Sequence, residues 1–138
     1  MNDGVILLDT NAVSRLMQGD ETVIRLVNGA QRILLCSIVL GELEAGFKGG
    51  THYERNKKDI DELCEDDKVY KVFSTAKTSG IYGELMSSLR TAGTKIPTND
   101  VWIGSFAKET GATILSFDHH MKAMMPFDVN VQYLELNN

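Results

Sequence analysis

The chain alternates short apolar runs with longer segments of helical spacing. Val5–Leu8 is an unbroken apolar run of strand length, ending at Asp9, and it predicts a strand buried on both faces. Ile33–Cys36 and Ala112–Ser116 repeat the pattern. Val69–Val72 predicts a short strand, and the alternation over Val131–Leu136 predicts a closing one. Between these runs the spacing predicts helices over Ala12–Gln18 and over Glu21–Asn28, the latter with Asp20 as N-cap and Gly29 as its stop. Ile38–Lys48 follows, capped by Ser37 and ended by Gly49 and Gly50. His52–Asp66 is a charged helix with Tyr53, Ile60, Leu63 and Cys64 on one face. Thr75–Thr91 has Ser74 as cap and is weakened by Gly80 and Gly83; Asp100–Glu109 is capped by Asn99 and stopped by Gly111. Strands alternating with helices imply an α/β domain with a mostly parallel sheet of about four to five strands. With no linker, repeat or low-complexity block, residues 1–138 read as one domain.

Four carboxylates interrupt this pattern in places that ask for a reason. Asp9 and Asp118 each follow a buried-strand pattern, where open α/β sheets bind their ligands. Glu42 lies beside Glu44, about 200° away around a helix of 3.6 residues per turn. Glu44 has Lys48 at i+4, a favourable exposed pair, whereas Glu42 shares its face with Ile38, Val39, Ala45 and Gly46. Asp100 is followed at helical spacing by Ile103, Gly104 and Ala107, and it sits in a first turn where the helix dipole favours negative charge. Taken singly, each acid has a structural explanation as a cap, a first-turn residue or a half-exposed side chain. Taken together, they come from four elements that converge. Carboxylates held together raise one another's pKa and call for a cation, and all-oxygen ligation suits Mg²⁺ or Mn²⁺ better than zinc.

The stretches LLDTN, GELEAG, IPTNDVWIGSFA and ILSFDHHM resemble, in order and spacing, the four motifs of PIN-domain nucleases, with particular likeness to the VapC-type toxins of bacterial and archaeal toxin–antitoxin systems. The resemblance spans essentially the whole chain and implies a three-layer α/β/α fold. It carries the family's acids onto Asp9, Glu42, Asp100 and Asp118, as catalytic residues and ligands of one or two Mg²⁺ or Mn²⁺ ions. Asn11 matches the polar residue of the first motif, and Thr98 and Ser116 match supporting hydroxyls. One departure is Gly104–Ser105, where members often carry two alanines; the acids are untouched by it. The implied activity is endonucleolytic hydrolysis of RNA leaving 5′-phosphate and 3′-hydroxyl ends. The implied partners are an antitoxin, whose C-terminal segment covers the acidic site, and a second copy of the chain. The alternatives within this likeness are an RNA-processing nuclease that is no toxin, and a non-catalytic protein binding RNA or a partner. An aspartyl phosphotransfer domain ranks below these, because DTN lacks the second Asp of a DxD motif.

Composition narrows the setting. Hydrophobic content of 43% and charged content of 24% are those of an ordinary globular protein, and a net charge of −5 argues against nucleic-acid binding by bulk charge alone. Local candidates for phosphate contact are Lys48, Arg55, Lys57, Lys58, Arg90 and Lys95. No apolar run approaches the length of a membrane span, and residues 1 to 9 contain Asp3 and no basic residue, which argues against a secretory signal. Cys36 and Cys64 have no metal-like spacing and read as reduced structural thiols in a cytoplasmic protein. The acidic run Asp59–Asp67 reads as a solvated helix face, since it lacks the glycine of a calcium loop. His119 and His120 adjoin Asp118; they read as loop residues, with RNA contact or substrate protonation as the alternative. Met121, Met124, Met125 and Phe127 predict a turn packed on the core.

Overall fold

The structure, a computed structural model, describes residues 4–136; Asp3, invoked above for the N-terminus, lies outside them. In chain order the elements are β1 (Val5–Leu8), α1 (Thr10–Met17), α2 (Glu21–Gly29), β2 (Arg32–Cys36), α3 (Ser37–Gly49), α4 (Tyr53–Cys64), β3 (Val69–Val72), α5 (Ala76–Thr91), α6 (Thr98–Thr110), β4 (Thr113–Ser116), a 3₁₀ helix (His119–Phe127) and β5 (Asn130–Tyr133). The five strands form one sheet in the order β3-β2-β1-β4-β5, and every pairing is parallel.

The strand order explains where a site can form. The chain starts in the middle of the sheet, builds outward through β2 to β3, then returns to the other side of β1 to add β4 and β5. Right-handed crossovers therefore put α1–α4 on one face and α5 and α6 on the other, the three-layer arrangement. β1 and β4 are the pair at which the direction of winding reverses, and the crevice beyond their carboxyl ends is the ligand position of such sheets. Both strands are apolar because both faces are covered: Leu7, Leu8, Ile114 and Leu115 are fully buried, as are Ile33 and Leu35 of β2. Burial of each such side chain contributes roughly 1.5–3 kcal/mol.

Several ends differ from the sequence reading, each for a local reason. α1 starts at Thr10, because the Asp9 carboxylate accepts from the Thr10 N–H and so caps the helix two residues earlier. Ser37 is the first residue of α3, with Cys36 in the cap position. α5 is capped by Thr75 in place of Ser74: the Thr75 N–H donates to Thr78 Oγ1 at 3.0 Å. α6 begins at Thr98 behind Pro97, so Asn99 is a helical residue whose side chain is free for another use. Gly111 ends α6 in the left-handed conformation, φ 74°, as its glycine requires. The segment after Asp118 is a nine-residue 3₁₀ helix; Met121 and Met124 are buried in it, but Met125 is exposed. Glu44 pairs with Lys57 at 3.0 Å and accepts from the Tyr53 hydroxyl, while Lys48 lies over the Tyr53 ring, so the expected Glu44–Lys48 pair is replaced by a link between α3 and α4. Lys68 closes α2 from a distance, its ammonium donating to the carbonyls of Val27, Asn28 and Ala30. Among the described residues no helix is long and apolar enough to cross a membrane.

Candidate active site

Asp9 is the first residue past β1, and its N–H donates to Leu115 O, which ties it to the end of β4. Only 5% of its surface is exposed. One carboxylate oxygen accepts from Thr10 N at 2.9 Å and the other from Ser116 Oγ at 2.6 Å. Burial pushes its pKa up; the hydrogen bond from Ser116 and that from Thr10 oppose the shift, and the charges of Glu42 and Asp118 reinforce it.

Ser116, the last residue of β4, organises the surrounding loop. Its hydroxyl donates to Asp9 and accepts from the Asp118 N–H at 3.0 Å and from Asn11 Nδ2 at 3.4 Å. The Asn11 side-chain oxygen in turn accepts from Phe117 N at 3.0 Å. Asn11 and Ser116 thus clamp the start of α1 to the turn that carries Asp118. Asp118 caps the 3₁₀ helix through His120 N at 2.9 Å, and the same oxygen lies 3.0 Å from His120 Nδ1.

Glu42 reaches the site from α3. Its carboxylate accepts from Thr10 Oγ1 at 2.6 Å and from Asn99 Nδ2 at 3.4 Å. Asp100 stands in the first turn of α6, half-buried. Its pKa is pushed up to about 6, first by burial and then by the charges of Asp9, Asp118 and Glu42, with His120 opposing. That list of neighbours places all four acids in one electrostatic field. Among the described residues the ion pairs elsewhere use Lys57 and Lys58, and of the four acids only Asp118 has a basic partner, His120.

The donor chemistry fits a hard divalent cation. The site offers carboxylate oxygens with no lysine or arginine to neutralise them, and burial that disfavours their charge. The acids stand apart enough that no three of them bring oxygens within 4.8 Å of one another; Asp118, His119 and His120 form the group among the described residues that does.

Of the supporting residues expected from sequence, Asn11 and Ser116 are built into this network. Thr98 is exposed at the start of α6, and its side chain makes no hydrogen bond to the acids. Thr10 and Asn99 are the polar residues that touch Glu42, and sequence reasoning missed both. Asn99 reads from sequence as a cap, and Thr10 precedes the expected helix start. The signal available for both was adjacency to an acid in the motif. Of the candidate phosphate contacts, Lys57 is held between Glu44 and Asp61 and Lys58 lies near Glu62, which leaves Lys48, over the Tyr53 ring, and Arg55, Arg90 and Lys95 without ion pairs among the described residues.

The PIN domain family model matches residues 6–124. Ribonuclease VapC1 of Haemophilus influenzae (strain R2866) is 28% identical over 123 residues, covering 86% of this chain and 88% of that protein. Ribonuclease VapC2 of Rickettsia felis is 28% identical over 116 residues, covering 81% and 85%. Among solved structures, VapBC2 from Rickettsia felis, bound to a DNA fragment from its promoter, superposes with a TM-score of 0.80 at 25% identity over 94% of this chain and 98% of that one. VapBC-1 from nontypeable Haemophilus influenzae gives 0.80 at 25% identity over 94% and 97%.

Proposed function

The chain belongs to the PIN domain family, and from that premise we propose that it is a metal-dependent endoribonuclease, the toxin of a type II toxin–antitoxin pair. The observation that supports this most is the convergence of Asp9, Glu42, Asp100 and Asp118, from four separate elements, at the carboxyl end of the sheet where β1 and β4 meet. The similar proteins named as ribonucleases and solved as VapBC complexes support the RNA substrate and the antitoxin partner.

Asp9, Asp100 and Asp118 would hold one or two Mg²⁺ or Mn²⁺ ions, with Glu42 joining directly or through water. When bound, such an ion supplies Lewis acidity, lowers the pKa of a nearby water and offsets charge on the phosphate. The residues of this chain do the rest. Ser116 and the Thr10 N–H fix both oxygens of Asp9. Thr10 and Asn99 hold Glu42 toward the site, where its carboxylate orients the attacking water. The water oxygen bonds to phosphorus in line with the departing O3′ and gives up a proton to solvent, the P–O3′ bond breaks, O3′ takes a proton from solvent, and the ends are a 5′-phosphate and a 3′-hydroxyl. Arg90 and Lys95, without ion pairs among the described residues, are candidates for contact with flanking phosphates. The antitoxin covers the acidic cleft with a basic side chain of its C-terminal segment, and a second copy of the chain is the other partner. The unpaired cysteines, with Cys36 buried, suit a cytoplasmic setting.

The test is cleavage of an RNA pool by the purified, partner-free chain with Mg²⁺ or Mn²⁺, again with EDTA, and beside the Asp100→Asn variant. Cleavage is expected only in the wild type with metal. Full activity in Asp100→Asn, or activity indifferent to EDTA, would overturn the reading.

A further inference from the structure

Beside the acids lies a group of rings that the proposed reaction does not use. Tyr133 is the last residue of β5 and pairs in register with Ser116 of β4, so it stands one strand away from the residue that holds Asp9. Paired residues of adjacent strands present their side chains on the same face of a sheet. His119 meets the Tyr133 ring edge-on, with centroids 6.5 Å apart and planes at 79°. His120 lies against His119 with centroids 4.2 Å apart and planes tilted by 34°, and is anchored to Asp118 by its N–H and Nδ1. Both histidines are exposed. The Lys122 ammonium is 5.1 Å above the Tyr133 ring and has no carboxylate partner among the described residues.

An exposed histidine ring beside a cation that has no carboxylate partner among the described residues suits an anionic, planar occupant. Aliphatic side chains would bury the rings but would waste the lysine. A nucleotide satisfies both, because its base has a π-face for the histidines and its phosphate has charge for Lys122. A duplex is a poor occupant, since its bases are stacked on one another and offer no free face; single strands and loops do offer one.

We propose that His119, Tyr133 and Lys122 form a nucleotide subsite for single-stranded RNA next to the scissile phosphate: an unpaired base stacks on the His119 ring, Tyr133 braces His119 from the side, and Lys122 turns to a backbone phosphate. The inference rests on the nuclease reading and deepens it by making an unpaired nucleotide beside the cut part of what the enzyme requires. It depends on ring faces and not on the charge state of either histidine.

The experiment uses binding, so that it reads independently of cleavage. A single-stranded oligoribonucleotide carrying 2-aminopurine, and the same sequence annealed as a blunt duplex, are titrated in EDTA against the full chain and its His119→Ala, His119→Phe, Tyr133→Ala and Lys122→Ala variants. The wild type is expected to quench 2-aminopurine in the single strand and to bind the duplex at least ten-fold more weakly. His119→Ala should lose the quench and bind the single strand about ten-fold more weakly, in line with the worth of one base–ring stack. His119→Phe, which keeps a ring, should restore both. Tyr133→Ala should weaken binding less than His119→Ala, and Lys122→Ala should flatten the salt dependence by about one ion. In cleavage assays the loss in His119→Ala should fall mainly on KM. Equal binding by His119→Ala and His119→Phe, or equal affinity for duplex and single strand, would overturn the subsite. Binding as expected with no metal-dependent cleavage would keep the subsite and overturn the nuclease reading.

Discussion

Ser116 uses its whole hydroxyl at the site, giving one hydrogen bond to Asp9 and receiving two from Asp118 N and Asn11. Removing it leaves a buried Asp9 oxygen without its donor. Burial already pushes that carboxyl's pKa up, and the Ser116 hydrogen bond is the largest influence opposing it. Ser116→Ala should therefore raise the Asp9 pKa further and weaken metal binding by roughly 10–100-fold, the usual range for a residue that orients a ligand. Isothermal titration with Mn²⁺ checks this; unchanged affinity would make Ser116 a purely structural residue. Asp100 provides a second measurement at this scale. The unfolded carboxyl gives up its proton near 3.8 and the folded one near 6. Between those values the folded state holds the extra proton, so metal-free stability is fully present below about pH 3.8 and is lost as pH rises through 6. The loss attributable to this half-buried group is roughly 2 kcal/mol after allowance for solvent screening. Urea unfolding in EDTA from pH 4 to 7 should show it, and Asp100→Asn should remove it. A variant whose pH profile parallels the wild type would show that Asp100 is not the group responsible.

Between elements, α6 and the 3₁₀ helix meet at Gly104 and Met124. A Cβ built at Gly104 would lie 2.3 Å from Met124 Sδ and 2.9 Å from its Cε, with Leu85 at 3.3 Å. Met124 and Leu85 are both buried, so the thioether cannot swing into solvent. The glycine at 104 makes room for a methionine, and the Ser105 hydroxyl is satisfied by Val101 O at 2.7 Å. Gly104→Ala gains about 1 kcal/mol of helix propensity but costs about 1–3 kcal/mol of overpacking, a net loss of about 1 kcal/mol. In a Met124→Val background, where the methyl has space, the same change should stabilise by up to about 1 kcal/mol. Equal effects in the two backgrounds, measured by a double-mutant cycle, would refute the coupling. The pairing of these two residues was not legible in the sequence, because 20 positions separate them and both patterns are satisfied locally. The same limit explains the caps. Thr75, Pro97 and Asp9 each displaced a helix start by one or two residues, since a cap is decided by backbone conformation that composition does not reveal. The closing strand ends at Tyr133, three residues before the expected Leu136, whereas two other strands fit their sequence pattern. Val5–Leu8 and Val69–Val72 match residue for residue, because a short apolar run bounded by polar residues leaves little latitude.

Across the whole molecule, the order of strands gathers four acids that are 33, 58 and 18 residues apart in sequence. Their convergence was legible because two of them end buried strands and two lie on apolar helix faces, positions where a lone carboxylate has little structural reason to be. Their partners Thr10 and Asn99 were not legible, since contact between α1, α3 and α6 depends on how the helices pack over the sheet. This gathering has a consequence for stability. In a chain of net charge −5, four acids share one end of the sheet, and among the described residues only Asp118 has an ion-pair partner, His120. Without a cation the fold carries that repulsion; with one it is relieved, and binding to the folded state adds RT ln(1 + [L]/Kd). At a hundred-fold excess over Kd the gain is about 2.7 kcal/mol, which raises Tm by roughly 5–10 °C for a domain of this size. Mg²⁺ or Mn²⁺ should produce that shift in the wild type at pH 7, and less of it at pH 5, where Asp100 holds a proton that the ion must displace. Asp100→Asn should start from a higher metal-free Tm, because one like charge is gone, and should respond weakly to the same ions. Sodium at matched ionic strength separates a site from general screening, since it reaches surface charges more readily than a half-buried cluster. A shift reproduced by sodium, or equal in the wild type and the variant, would mean that the acids repel one another without holding an ion, and the proposed chemistry would lose its metal.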